Sequence, residues 1–200
     1  MHLLIDMLNI FLRVLTILLV LVRDVYWYVT GKIAKKAKPP TKKSFSFQSA
    51  IGWVFSLGLE IIILMQLAGM VSLLPIPHQL LLFRAIGCIV CFVGVGVCLL
   101  ARHTLGVNWS HAADYQIKTH HELVTTGLYH LVRHPIYTGL ALSWIGAEMV
   151  AGSYLSISFL AFFIAFYFQG KREEKILLTH FGKTYADYMK KTKMLIPFVF

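Results

Sequence analysis

Residues 80–101 read LLLFRAIGCIVCFVGVGVCLLA and carry a single charge, Arg84. A helix needs about 20 apolar residues to cross the hydrocarbon core of a bilayer. Gly87, Gly94 and Gly96 in this run leave room for a second helix to approach closely. The rest of the chain decides whether such a run faces lipid or a soluble core. Hydrophobic residues make up 58% of the 200 positions, charged residues 14%, and the mean hydropathy is +0.69. Soluble domains average nearer 45–50% apolar and about 25% charged. A chain this short cannot hide that excess from water, so it faces lipid.

Further apolar runs flank this one. Residues 3–22, broken by Asp6 and Arg13, lack the basic start and cleavage site of a signal peptide and read as a membrane helix. Residues 23–43 hold Arg23, Lys32, Lys35, Lys36, Lys38, Lys42 and Lys43 against Asp24, with Pro39 and Pro40. They read as a basic loop at the membrane surface. A second run covers about 47–74 and ends in the Pro75-Ile76-Pro77-His78-Gln79 turn. Residues 102–134 are polar and hold six of the nine histidines. Residues 135–169 suit two helices hinged near Ala151-Gly152-Ser153, and 171–193 are charged with a helical pattern. The expected fold is an all-α integral membrane protein with five transmembrane helices. Residues 1–101 supply three spans and the basic loop 23–43. Residues 102–200 supply a loop at 102–134, a helical hairpin at 135–169 and a C-terminal amphipathic helix at 171–193.

Seventeen of the nineteen Lys and Arg residues lie outside the spans, divided seven, three and seven among 23–43, 102–134 and the segment from Lys171 onward. Five crossings put all three segments on one side, cytoplasmic by the positive-inside rule, with the N-terminus outside. In a prokaryote the membrane would be the inner one. A net charge of +10 could suggest nucleic acid. The cations instead flank apolar runs and are not interleaved with aromatics, so no nucleic-acid partner is expected. Cys88, Cys91 and Cys98 share one run, cannot frame disulfides, and read as small buried residues.

Two stretches hold residues that a lipid-spanning scaffold does not need. Arg133-His134-Pro135 places a cation and free backbone N–H groups at the mouth of the fourth span, which suits an anion. Simple snorkelling of Arg133 and His134 to the interface fits as well. Downstream, Glu173 and Glu174 project onto the apolar face shared with Leu177, Leu178, Phe181, Tyr185 and Tyr188. Buried carboxylates are costly unless paired with cations or used in a site. Pairing with Arg133 or Lys171 for stability alone is the plain alternative. His130 and His134 are four apart, but Pro135 interrupts their helix and no metal is expected. Glu60 and Glu148 fall inside spans, and Arg84 is a simple partner for Glu60.

In order, these pieces resemble the isoprenylcysteine carboxyl methyltransferase family. The resemblance rests on Leu123-Val124-Thr125-Thr126-Gly127-Leu128-Tyr129, Arg133-His134-Pro135-Ile136-Tyr137-x-Gly139, and Glu173-Glu174-x3-Leu178-x2-Phe181-Gly182-x2-Tyr185-x2-Tyr188 with a closing Ile196-Pro197. Gly106-x-Asn108-Trp109-Ser110 fits prokaryotic members, and the match covers about 102–200. It implies a methyltransferase using S-adenosylmethionine in a membrane site without a glycine-rich strand–turn–helix. By position, His121, Glu122, Leu123 and Val124 would hold the adenosine end. Tyr129, His134, Pro135 and Tyr137 would line the cofactor, Arg133 would sit by its carboxylate, and Glu173 at the junction with the acceptor. Arg133, Gln169 and Glu173 are the catalytic candidates.

One position departs from the family. An Arg is usual four residues before the first Glu, and Gln169 stands there. Glutamine cannot form a charged two-pronged pair with a carboxylate, so the expected acceptor is a lipophile without an obligatory carboxylate. Transfer to a phospholipid amine, where Glu173 would accept a proton, is an alternative within the same architecture. A non-catalytic scaffold and a sterol reductase are further alternatives, the second needing more spans than 200 residues provide.

Overall fold

The computed structural model describes residues 2–37, 47–77, 81–109 and 121–197. Within them the chain forms six α-helices: α1 (His2–Ala37), α2 (Phe47–Leu67), α3 (Leu81–Leu105), α4 (Pro135–Ala151), α5 (Phe159–Phe181) and α6 (Lys183–Lys191). Short 3-10 turns cover Gly106–Asn108, Gly127–His130 and Tyr154–Ser158. Beyond helices the described residues hold only isolated bridges, Pro75 with Ser153 and Val132 with Lys193.

Small residues create the centre of the bundle. Gly87, Cys88, Cys91, Gly94 and Cys98 repeat at helical spacing on one face of α3 and are buried. That face lies against Gly139, Ser143 and Gly146 of α4. A Cβ added at Gly94 would stand 2.3 Å from the Ser143 nitrogen, and one at Gly146 would stand 2.3 Å from the Cys91 nitrogen. The backbones approach too closely for side chains between them, the packing that lipid-exposed helices favour. The three cysteines are buried free thiols, as their shared run suggests. On the opposite face of α3, Leu82, Ile89 and Phe92 are exposed.

Among the described residues three helical stretches are long and apolar enough to cross a membrane: His2–Ala37, Leu81–Asn108 and Tyr154–Phe181. α4 has 17 residues, about 25 Å of helix, and is enclosed by its neighbours along most of its length. Its ends match the sequence, with Pro135 at the first turn and a left-handed Gly152 (φ 79°) at the cap. The turns around Pro75 and Gly152 meet at one end of the bundle, where Ile76 N donates to Gly152 O at 2.9 Å and Tyr154 N to Leu74 O at 2.8 Å.

Three expectations are corrected. The stretch 23–43 is not a loop from Arg23: α1 stays helical to Ala37, because nothing before Pro39 breaks a helix. Pro39, Pro40, Lys38, Lys42 and Lys43 lie outside the described residues, as do residues 110–120 of the 102–134 stretch. The break expected between 169 and 171 is also absent. α5 runs through Gly170, and the chain turns at Gly182 (φ 55°), so Tyr185 and Tyr188 belong to a separate helix from the two glutamates. Finally, Glu60 pairs with Arg23 at 2.6 Å and not with Arg84. Arg23 also pairs with Asp24 at 2.8 Å, and its Nη1 donates to Ser143 Oγ at 3.3 Å. Arg84 Nη1 instead caps Val150 O at 2.9 Å.

Candidate active site

The two stretches that stood out in the sequence meet at the end of the bundle away from Gly152. His134 caps α4, and Tyr137 follows one turn later. Tyr137 donates its hydroxyl proton to Glu173 Oε1, and Gln169 Nε2 donates to the same oxygen at 3.2 Å. His134 Nδ1 lies 3.6 Å from Glu173 Oε2, while its Nε2 lies 3.5 Å from Glu174 Oε1. The rings of His134, Tyr137 and Phe166 stack in series, with centroids 5.5 and 4.9 Å apart. Glu173 is only 7% exposed, so a carboxylate sits beside an aromatic stack almost out of water.

Glu174 has a different environment. Arg133 Nε holds it at 2.5 Å, and Lys171 lies 3.8 Å away. Arg133 Nη1 further donates to the carbonyls of Met189, at 3.3 Å, and Thr192. The backbone N–H of Arg133 goes to Lys193 O at 2.8 Å and that of His134 to Met194 O at 3.0 Å. Thr138 Oγ1 donates to Leu195 O at 2.6 Å. The segment Thr192–Leu195 is therefore strapped along the start of α4. Gly170 makes room for this strap, since a Cβ there would stand 2.6 Å from Met194 Cε and 3.2 Å from His134 Nε2. The anion site expected here is changed by this: Arg133 Nε and Nη1 and the backbone N–H groups of Arg133 and His134 go to Glu174 and to the C-terminal carbonyls, and the N–H of Tyr137 goes to His134 O.

The remaining expected residues are spread around this centre. Tyr129 is buried in its 3-10 turn, and its carbonyl accepts from the Tyr188 hydroxyl at 2.5 Å. Burial pushes that phenol up to about 12, so it remains a donor at neutral pH. Gly127 starts the turn with φ 59°, as a left-handed position requires. His121 packs against Phe181 at 5.9 Å. Leu123 and Val124 run half-buried without regular structure. Glu122 is exposed and is tied by its backbone N–H to Asn108 Oδ1 at 3.2 Å, away from the glutamates. Pro135 is fully buried at the first turn of α4. Among the described residues no group of three His, Cys, Asp or Glu is placed to hold a metal ion, and His130 is exposed. Gly170, Phe166 and the 192–195 strap belong to the site without any motif that marks them in the sequence.

Residues 82–184 match the family model described as phospholipid methyltransferase. Protein-S-isoprenylcysteine O-methyltransferase A of Arabidopsis thaliana is 30% identical over 144 residues, covering 66% of this chain and 73% of that protein. The chain belongs to the isoprenylcysteine carboxyl methyltransferase family. The Saccharomyces cerevisiae protein-S-isoprenylcysteine O-methyltransferase is 32% identical over 120 residues, 59% of this chain and 50% of that protein. The solved eukaryotic intramembrane Ras methyltransferase, an isoprenylcysteine carboxyl methyltransferase, shares the fold with a TM-score of 0.53 and 28% identity. That match covers 76% of this chain and 51% of the solved one. The chain thus spans about half the length of these last two relatives. Family membership and the three long apolar helices make this an all-helical membrane protein.

Proposed function

We propose that this chain is a membrane methyltransferase that uses S-adenosylmethionine to methylate a lipophilic acceptor entering from the bilayer. The observation that carries the reading is Glu173, a buried carboxylate held by Tyr137 and Gln169 beside stacked aromatic rings. The site suits the cofactor's chemistry. A sulfonium cation is favoured by aromatic faces and a nearby carboxylate. Two buried polar atoms there, His134 Nε2 and Glu174 Oε2, also lack hydrogen-bond partners. When bound, the cofactor supplies an already activated methyl group.

The protein's own residues then position the reactants and keep water out. Tyr137 and Gln169 fix the Glu173 carboxylate, which orients the acceptor or takes its proton. His134 and Pro135 close the floor of the site. Backbone groups of His121, Glu122, Leu123 and Val124, with Tyr129, would hold the adenosine end. Arg133 acts through Glu174 and the Thr192–Leu195 strap as a positioning residue.

The finer topology belongs to the same proposal. The chain crosses five times, α2 and α4 completing the count. The C-terminus and cofactor site are cytoplasmic, and the membrane is the inner one in a prokaryote. The support is that the turns at 73–77 and 152–154 bond each other at one end, while the basic Arg102, Arg133 and Lys193 lie at the other. Cysteines placed at 77 and 191 should label from outside intact cells only at 77. Labelling at 191 would overturn the orientation.

Calorimetry with S-adenosylhomocysteine on the purified protein in detergent tests the cofactor, with micromolar binding expected and none refuting it. Turnover of a prenylcysteine acid against a lipophilic amine tests the acceptor. Gln169 favours a lipophile without an obligatory carboxylate. Efficient esterification of the acid, undiminished in Gln169→Ala, would overturn that part.

A further inference from the structure

Arg102 stands on the last turn of α3 and is 1% exposed. Its Nη1 donates to Gly106 O at 2.9 Å. The guanidinium carbon lies 4.2 Å from the Trp109 ring and 6.0 Å from the Trp27 ring, and the indoles meet edge to face at 6.3 Å. Its Nε and Nη2 are buried and have no hydrogen-bond partner. Arg23 and Arg133 show how this fold ordinarily treats an enclosed arginine: each is paired with acids. Among the described residues Arg102 has no acidic partner, and burying an unpaired cation is costly. Nε and Nη2 form the parallel edge of the guanidinium that takes a carboxylate with two hydrogen bonds, and stacking on an indole holds such an edge in plane. The indole faces favour the cation but leave its Nε and Nη2 hydrogens without acceptors.

The surroundings identify the anion. Two residues beyond Arg102, Thr104 Oγ1 would lie 3.2 Å from a Cβ on Gly127, at the start of the Tyr129 turn. Six residues beyond, Asn108 holds Glu122 by its backbone. Arg102 is therefore flanked by both stretches that the methyltransferase reading gives to the cofactor, whereas Arg133 is committed to Glu174 and to the strap. We propose that Arg102 binds the amino-acid carboxylate of S-adenosylmethionine. This inference rests on the cofactor reading above and goes beyond it by naming the residue that recognises the charged end.

The test compares S-adenosylhomocysteine with two ligands, its decarboxylated form and 5′-methylthioadenosine, by calorimetry on the full chain in detergent. The wild type should bind S-adenosylhomocysteine about 10- to 100-fold more tightly than the decarboxylated form, the range that charged hydrogen bonds supply. Arg102→Gln should remove that preference and leave affinity for 5′-methylthioadenosine within about twofold. Arg102→Lys, which keeps the charge and loses the fork, should recover only part of it. Equal wild-type affinity for the carboxylated and decarboxylated ligands would overturn the proposal without any variant, even if the variants fail to fold. A preference that survives in Arg102→Gln would also overturn it, because another cation would then hold the carboxylate. No binding of any of the three by the wild type would instead defeat the cofactor reading itself.

Discussion

Two glutamates are buried at opposite ends of the bundle, and their surroundings differ in kind. Glu148, near the end of α4, is fully enclosed and has both oxygens occupied by Gln66 Nε2, at 3.0 and 3.2 Å. Gln66 in turn accepts from Leu73 N at 3.3 Å, so the arrangement ties α2 to α4 and to the adjacent turn. No arginine or lysine is involved. Glu173 has one oxygen held by Tyr137 and Gln169, while the other faces His134 at 3.6 Å. It is drawn from α5 toward α4, with aromatic rings rather than a loop beside it. Burial alone therefore does not mark a catalytic carboxylate. What separates the two is whether an oxygen is left for another molecule.

The sharpest way to break this contrast is Glu173→Gln, which keeps the shape and removes the charge. If Glu173 serves as a base, turnover should fall about 10²–10⁴-fold. Melting temperature and S-adenosylhomocysteine affinity should barely move. A variant that melts early yet keeps its activity per molecule would place Glu173 with Glu148 as a structural group. Next in size is Arg133→Met, which strands Glu174 without its main partner. Breaking one side of such a buried pair should cost roughly 3–5 kcal/mol, read by thermal or denaturant unfolding in detergent. Loss of activity without loss of stability would mean that Arg133 touches the reactants directly.

Gly146→Ala should follow, at about 1–3 kcal/mol, because its Cβ meets the Cys91 backbone and α3 and α4 must part. Gly58→Ala, with nothing within 4 Å of the added Cβ, provides the control. Glu148→Gln should have the smallest effect. An amide keeps one of the two acceptors of Gln66 Nε2 and turns the other into a donor, so stability should fall by about 1 kcal/mol and turnover stay constant. A large activity loss there would erase the distinction between the two glutamates.

The apolar runs foretold where the helices lie, since 80–101 and 135–151 depend on periodicity and a proline at the helix start, both local properties. The continuity of α1 past Arg23 is local as well, since nothing before Pro39 breaks a helix; what was not legible is the enclosure of Arg23, which depends on Glu60 and Ser143, 37 and 120 residues away. The Glu173 side of the site was legible because a costly carboxylate on an apolar face stands out in any projection. The partnership of Arg133 with Thr192–Leu195 was not, since it runs through backbone carbonyls that no side-chain pattern records. Arg102 was not legible for a further reason: at the end of an apolar run an arginine reads as an interface charge, and only the fold shows it buried against the Trp109 and Trp27 indoles.

The strap also has a consequence for biogenesis. Residues 192–195 leave the ribosome after all of α1 to α5, yet they satisfy the backbone donors of Arg133 and His134. While a chain is still being inserted, its floor of His134 and Pro135 lacks those bonds, and Arg133 lacks the carbonyls that fix it. Competence should therefore arrive late and all at once, after the helices are in the bilayer.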